Sequence, residues 1–215
     1  PGITGVHSRL GAAYLKRQYF QKAADQLELA LKEDSSAEVL NNLGAACAGI
    51  EDYARAETFL RRALELKPDL AGCIRNLALL YQKTGRTDEA AAAFERYFSL
   101  NPQDTGLLES YIIFLTEAGR APEAAAFLER IQGADPLAVR LLLARVAAQI
   151  ADPDRTVRAL REAARFLTPR QMIAEMHDSA FSPVAQTEPF ETLMYQLEMA
   201  AVSLATNFSP EVQTP

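Results

Sequence analysis

The side chains that could carry chemistry are few and widely separated. The chain has two cysteines, Cys47 and Cys73, and two histidines, His7 and His177. The cysteine spacing matches no zinc-binding signature, and two cysteines are too few for a disulfide framework. We therefore expect small, buried, apolar cysteines, and we expect neither a metal centre nor a histidine-based catalytic site.

Carboxylates are plentiful, but their positions favour a structural role. The pairs Glu51-Asp52 and Asp88-Glu89 lie at predicted turns and first helical positions, where a negative charge interacts favourably with the helix dipole. The sequence contains no GxxxxGK[ST], GxGxxG, GxSxG, HExxH or CxxC motif, and these are the patterns that mark common catalytic and cofactor sites. We predict that the protein is not an enzyme and needs no cofactor.

Charge and hydrophobicity argue against binding to nucleic acid or anionic lipid and against a membrane span. The 215 residues carry a formal net charge of −6, which opposes non-specific binding to nucleic acid or to anionic lipid. No run of about 18 apolar residues is present to form a membrane span. The chain starts with PGITGV, without an initiating Met or a leader, so we expect a trimmed chain whose compartment, cytoplasm or periplasm, stays open.

A repeat of about 34 residues organises most of the chain. Steps of 33, 34 and 34 residues separate the pairs Leu10-Gly11, Leu43-Gly44, Leu77-Ala78 and Tyr111-Ile112. The second half of each unit repeats on the same grid, with Ala23, Ala56, Ala90 and Ala124 followed four residues later by Leu27, Leu60, Phe94 and Leu128. Apolar spacing of three to four residues indicates helices, so each unit is predicted to be two helices and a turn.

The residue types at these positions have a physical explanation. Small residues at Gly11 and Gly44 let the first helix of a unit approach the second, where a larger side chain would separate the pair. Gly85 and Gly119 are predicted to supply the left-handed backbone of the turn between the two helices. Proline then closes the second helix, as at Pro68 and Pro102.

This grid resembles the tetratricopeptide repeat (TPR) family, whose pattern is seen here as Leu77-Ala78, Tyr81, Ala90, Phe94 and Pro102. The resemblance covers residues 4–136 as four repeats. It implies an all-α fold, a right-handed superhelical α-solenoid of two-helix repeats with a C-terminal helical cap. A divergent fifth helical pair is predicted over 137–168, with helices at Leu137–Ile150 and Asp154–Leu167, and capping helices and a tail over 169–215. One departure is that the family's aromatic residue near the start of each unit is replaced by His7, Leu40, Ile74 and Leu108.

The resemblance also implies a peptide-binding groove lined by the first helices of the repeats. The groove residues predicted from it are Arg9, Asn41, Asn42, Arg75, Asn76, Leu79, Gln82, Lys83, Ser110 and Ile113. Asparagines such as Asn42 and Asn76 suit pairing with the backbone of an extended peptide; the alternative is that they bridge neighbouring repeats. One repeated position of this groove is small or apolar in each repeat, at Ala12, Ala45, Leu79 and Ile113. It favours an apolar peptide or amphipathic helix, whose acidic residues would meet Arg9, Arg75 and Lys83.

One subclass of the family holds the carboxylate of chaperone tails with a clamp of Lys, Asn and Arg. The matching positions here are Ser8, Ala12, Asn42, Gly72 and Asn76, so four of the five clamp residues are missing. Chaperone-tail binding is therefore not expected.

The last helix is predicted at about Pro189–Thr206, after a helix that starts at the Thr168-Pro169-x-Gln171 signal. Its apolar face would carry Phe190, Leu193, Met194, Leu197, Ala201 and Leu204. Such a helix either caps the array or binds a partner or a second copy of the chain.

The function expected from all of this is a non-enzymatic protein–protein interaction scaffold that binds a peptide or helix in its groove within a multiprotein assembly. One alternative is an assembly protein that self-associates through its last helix. Another is a regulatory or substrate-presenting part of a larger enzyme. Alanine-rich helices such as EAAAAFERYF suggest a bacterial source.

Overall fold

The structure is a computed structural model that describes residues 5–207. Every regular element in this range is a helix, which confirms the prediction of an all-α chain. The residues cluster into two compact units, Pro1–Asn101 and Pro102–Pro215. The division into repeats at 4–136, 137–168 and 169–215 remains a prediction.

The first unit consists of three helix pairs. Its helices are α1 (Val6–Lys16), α2 (Phe20–Glu33), α3 (Ala37–Gly49), α4 (Tyr53–Leu66), α5 (Ala71–Lys83) and α6 (Thr87–Leu100). Within each pair the first helix packs against the second, and the successive first helices α1, α3 and α5 also touch. The resulting order of contacts is that of stacked two-helix repeats.

The core of the first unit is built from the predicted small and large positions. Ala23, Leu27, Leu60 and Phe94 are all fully buried. Gly11 lies against one of these side chains, because a Cβ added at Gly11 would stand 2.5 Å from Cγ of Leu27. A small residue is therefore required where α1 crosses α2, as the repeat pattern predicts.

The turn inside each helix pair passes through a residue of left-handed backbone. Gly85 and Gly119 have φ values of 71° and 74°, so the prediction for these two glycines is confirmed. In the equivalent turns of the other three helix pairs, this place is taken by Gln18, Glu51 and Ala151, with φ values of 59°, 64° and 53°. Because this backbone conformation favours glycine, the sequence did not predict it at these three residues.

The second unit contains two further helix pairs and a C-terminal segment. Its helices are α7 (Thr105–Glu117), α8 (Ala121–Arg130), α9 (Pro136–Gln149), α10 (Pro153–Ala163), α11 (Pro169–Met176) and α12 (Glu188–Asn207), with a short 3₁₀ helix at Ser179–Phe181. The helix α10 ends earlier than the predicted Leu167. The chain leaves the helical region before Pro169, and Thr168 is extended, as expected for the residue that precedes proline.

At the end of the second unit, the start of α11 agrees with the sequence prediction, whereas the buried face of α12 differs from it. Thr168 and Gln171 form the predicted capping box. On α12, Phe190 and Leu193 are buried, but Leu204 at the far end of the predicted apolar face is exposed. Because α12 packs against α10 and α11, only the first half of its predicted face is buried in the core of the unit.

Candidate functional site

The groove residues predicted in the first unit lie on its first helices. Arg9 on α1 is exposed, and so are Arg75, Leu79 and Lys83 on α5. The half-buried groove residues of this unit are Asn41, Asn42, Asn76 and Gln82. Leu79 exposes 36% of its surface. We call Arg75, Leu79 and Lys83 the α5 face. It combines one apolar side chain with two cations, and this is chemistry that suits a peptide rather than a small polar ligand.

Three of the predicted asparagines form a hydrogen-bonded chain. The side-chain amide of Asn76 donates to Oδ1 of Asn41 at 2.9 Å, across 35 residues of sequence. The amide of Asn41 in turn donates to Oδ1 of Asn42 at 3.4 Å. Asn41 and Asn76 thus bridge neighbouring repeats, which is the structural alternative that the sequence left open.

The two groove residues predicted in the second unit, Ser110 and Ile113, have different surroundings. Ser110 on α7 is exposed, and its hydroxyl donates to the carbonyl of Gly106 at 2.9 Å. Ile113, one turn further along α7, exposes 48% of its surface and lines a pocket that Ser110 does not line. Ile113 is therefore the better placed of the two for contact with a ligand.

This pocket, which we call the α7–α9 pocket, has a volume of about 400 Å³. Ile112 and Ile113 from α7 and Leu142 and Val146 from α9 supply apolar walls, and the segment 178–183 lines the rest. A partly apolar concavity of this size is typical of ligand sites.

One cation and three carboxylates surround the pocket or lie beside it. Arg145 on α9 approaches Asp178 with Nη2 to Oδ2 at 3.2 Å. The same nitrogen lies 3.4 Å from Oε2 of Glu175, and Nη1 lies 3.9 Å from Oε1 of Glu109. Sequence reasoning missed this cluster, because its members come from α7, α9 and the C-terminal segment. The available signal was a single charged residue, Arg145, within the apolar stretch LLLARVAA.

A second charged cluster lies in the first unit, between α4 and the α5–α6 turn. The carboxylate of Glu57 accepts hydrogen bonds from Arg86 at 2.6 Å and from the hydroxyl of Tyr81 at 3.1 Å. Arg61 also contacts it, with Nη2 to Oε1 at 2.8 Å. Burial acts to raise the pKa of Glu57, but the hydrogen bonds from Arg86, Arg61 and Tyr81 together outweigh it and lower that pKa. This arrangement ties one repeat to the next.

The cysteines have the environment predicted for them. Both Cys47 and Cys73 are buried, and neither forms a disulfide. Burial raises the pKa of the Cys73 thiol to about 12, and the thiol lies 3.1 Å from the carbonyl oxygen of Leu60. Within residues 5–207 no cluster of three or more Cys, His, Asp or Glu side chains is arranged to hold a metal ion.

Stacked helix pairs with close small-residue contacts and an open first-helix surface define a helical repeat protein of the protein–protein interaction class. The sequence model of one such family, the cilia and flagella-associated protein 70 C-terminal domain, matches residues 3–180. The chain belongs to this family and is a TPR protein, which confirms the resemblance seen in its sequence.

Solved structures support the fold independently. MamA of strain AMB-1 is similar with a TM-score of 0.57 and 21% identity, covering 74% of this chain and 88% of MamA. PilF of Pseudomonas aeruginosa has a TM-score of 0.57 and 18% identity, covering 98% of this chain and 95% of PilF. YrrB, described as a TPR protein with an unusual peptide-binding site, has a TM-score of 0.54 and 14% identity, covering 86% of this chain and 95% of YrrB. The comparison with curated proteins returned no match.

Among the residues that the structure describes, no helix combines the length and the apolar character needed to cross a membrane.

Proposed function

We propose that the protein is a non-enzymatic scaffold that binds a peptide or helix of a partner on the exposed surface of its first helices, within a multiprotein assembly. The observation that carries this proposal is the exposure of Leu79 and Ile113, which occupy the same position in consecutive repeats. One of these exposed apolar side chains lies in each unit, and each is the kind of surface that a docked peptide or helix would cover.

The surroundings of Leu79 and Ile113 also suit the binding of a peptide or helix. Arg75 and Lys83 flank Leu79 on α5, and the α7–α9 pocket lies beside Ile113. The peptide-binding site of YrrB supports peptide binding as a use of this fold. Because Asn41 and Asn76 already bond to each other, the apolar and cationic side chains, rather than these amides, would contact the ligand.

Photo-crosslinking with selected peptides tests the proposal. Peptides selected from a random display library on the native chain are added to variants that carry a photoreactive residue at Leu79 or Ile113. Matched controls carry it at Arg62 on α4 and Ala126 on α8, which are exposed on second helices. Crosslinks from positions 79 and 113 alone are expected, together with loss of binding in Leu79→Asp or Ile113→Asp. Equal crosslinking from the controls, or no selected peptide at all, would overturn the proposal.

A second candidate function, self-association through α12, is favoured by a separate observation. Tyr195, Met199 and Val202 follow one another at helical spacing and expose 63%, 52% and 57% of their surfaces. This stripe lies outside the face predicted from the sequence. If it joins two copies, the native chain will show a mass that rises with concentration in light scattering. Met199→Glu should then be monomeric and the control Gln196→Glu should not, whereas a native monomer at all concentrations excludes this candidate.

A further inference from the structure

The α7–α9 pocket has features that go beyond a general peptide surface. Its apolar walls come from two rigid helices, through Ile112, Leu142 and Val146. Its volume of about 400 Å³ is large enough for a bulky side chain together with part of a second one. The pocket can therefore discriminate among peptide side chains, which a flat helix surface cannot do.

The remaining side of the pocket is held in place by its own contacts. Asp178 accepts a hydrogen bond from the backbone amide of Ala180 at 2.9 Å, which orders the start of the 3₁₀ helix. Phe181 in that helix is buried, and its ring centre lies 5.9 Å from that of Phe190 on α12. The segment 178–183 is thus anchored to the core of the unit, and the pocket exists before any ligand binds.

The charges at the pocket are unbalanced. One guanidinium, Arg145, meets the carboxylates of Glu109, Glu175 and Asp178, so the cluster carries two more negative charges than positive ones. Glu109 makes the longest of the three contacts, at 3.9 Å, and each carboxylate has about four acceptor sites. The cluster consequently retains acceptors for another cation, while an acidic ligand would meet net repulsion.

From these observations we propose that the α7–α9 pocket binds a partner segment in which a lysine or arginine lies beside a large apolar residue. The apolar side chain occupies the space between Ile113, Leu142 and Val146, and the basic side chain reaches Glu109 and Asp178. This inference rests on the proposed function and adds the chemical class of the ligand at one of its surfaces.

Three short peptides test this ligand class on the full 215-residue chain. The probes are acetyl-Ser-Leu-Lys-Leu-Ser-Gly-amide, the same peptide with Glu in place of Lys, and the Lys peptide with both Leu replaced by Gly. Each is titrated while the backbone amide signals of residues 109–116 and 178–182 are followed by NMR. The Leu-Lys-Leu peptide should shift these signals and bind at least about threefold more tightly than either relative.

Glu109→Gln should lower the affinity for the Leu-Lys-Leu peptide about threefold. The matched control Glu117→Gln makes the same charge change at the other end of α7 and should leave the affinity unchanged. The preference for Lys over Glu should also shrink between about 50 mM and about 500 mM salt, because exposed charges are screened. Equal binding of the Glu peptide, equal effects of the two variants, or no shift in these signals would overturn the inference.

The outcome also separates this inference from the proposed function. If library-selected peptides crosslink to the α5 face while the Leu-Lys-Leu peptide leaves the pocket signals unshifted, the ligand class is wrong and the scaffold proposal stands. If selected peptides contact neither surface, both are wrong.

Discussion

Gly44 on α3 lies so close to Leu60 on α4 that a Cβ added at Gly44 would stand 2.6 Å from Cγ of Leu60 and 3.2 Å from the carbonyl oxygen of Ala56. Gly11 and Leu27 have the same relationship one repeat earlier, at 2.5 Å. Since Leu60 is fully buried, it cannot move away without disturbing the side chains packed around it. The small-residue positions therefore set the distance between paired helices.

This relationship predicts that Gly44→Ala destabilises the protein. A methyl group forced against Leu60 should cost about 1–3 kcal/mol of unfolding free energy, as overpacked cores do, even though alanine is the better helix former. Urea denaturation followed by circular dichroism measures the change. Gly72→Ala is the matched control, because no atom lies within 4 Å of the Cβ it would add. It should be neutral or stabilising by up to about 1 kcal/mol, and destabilisation of similar size in both variants would contradict the prediction.

The left-handed turns predict that substitutions at two equivalent positions change the stability of the protein in opposite directions. Glu51→Gly should stabilise the protein by about 1 kcal/mol, because glycine adopts a φ of 64° without the steric cost that glutamate incurs. Gly85→Ala, at a φ of 71°, should destabilise by about the same amount. Thermal and urea unfolding of both variants provide the measurement. The prediction is wrong if the two changes have the same sign.

The bond between Asn41 and Asn76 predicts coupling between these residues in stability. Asn41→Ala and Asn76→Ala should each destabilise, and the double variant should lose less than the sum by about 0.5–1 kcal/mol. A double-mutant cycle in urea gives this value. Additive losses would show that the 2.9 Å hydrogen bond contributes nothing to the stability of the repeat stack.

The environment of Glu57 predicts a specific pH dependence. Its folded-state pKa is lowered despite burial, because Arg86, Arg61 and Tyr81 donate to the carboxylate. The native state therefore binds the proton less readily than the unfolded state, and the stabilisation is present above the ordinary glutamate pKa and disappears as the pH falls through the folded pKa.

Glu57→Gln should accordingly cost about 1 kcal/mol at pH about 7. The difference from the native chain should narrow below a pH of about 4.5 as the native carboxylate is protonated. Urea unfolding at a series of pH values measures this difference in unfolding free energy between the native chain and Glu57→Gln. Glu65→Gln, at an exposed position on the same helix, serves as the matched control for the charge change. A gap for Glu57→Gln that stays constant with pH would contradict the assignment.

The buried thiol of Cys73 predicts low reactivity. With a pKa of about 12, almost none of it is thiolate near neutral pH, and the thiolate is the nucleophile. Iodoacetamide labelling followed by mass spectrometry should therefore modify Cys73 only in urea. Rapid labelling in the native state would show that the helix pair opens at this position.

Several parts of the fold could be predicted because they depend on neighbours along the chain. Helices follow from apolar spacing of three to four residues, and the capping box at Thr168 and Gln171 depends on residues three apart. The close contact of Gly11 with Leu27 was also predictable, since small and large residues recur at the same place in every repeat. The left-handed turns were predictable at Gly85 and were missed at Glu51, where the side chain conceals the backbone conformation.

The candidate site was less predictable, and Arg145 shows why. Its carboxylate partners Glu109 and Asp178 lie in other helices and segments, and no local pattern specifies how far one helix rotates or slides against the next. The same applies to Tyr195 and Met199, which are exposed because packing against α10 and α11 selects one face of α12 over another.

By itself, the sequence determined the repeat, its helices and the membership of the TPR class, because those properties are set by periodic spacing within short windows. Only the tertiary structure decided that Asn76 bonds to Asn41 rather than pointing to solvent, that Ile113 and Arg145 share one pocket, and that α12 leaves an apolar stripe exposed. Each of these depends on the angle and offset at which helices distant in sequence pack, and that geometry results from the summed contacts of the whole unit.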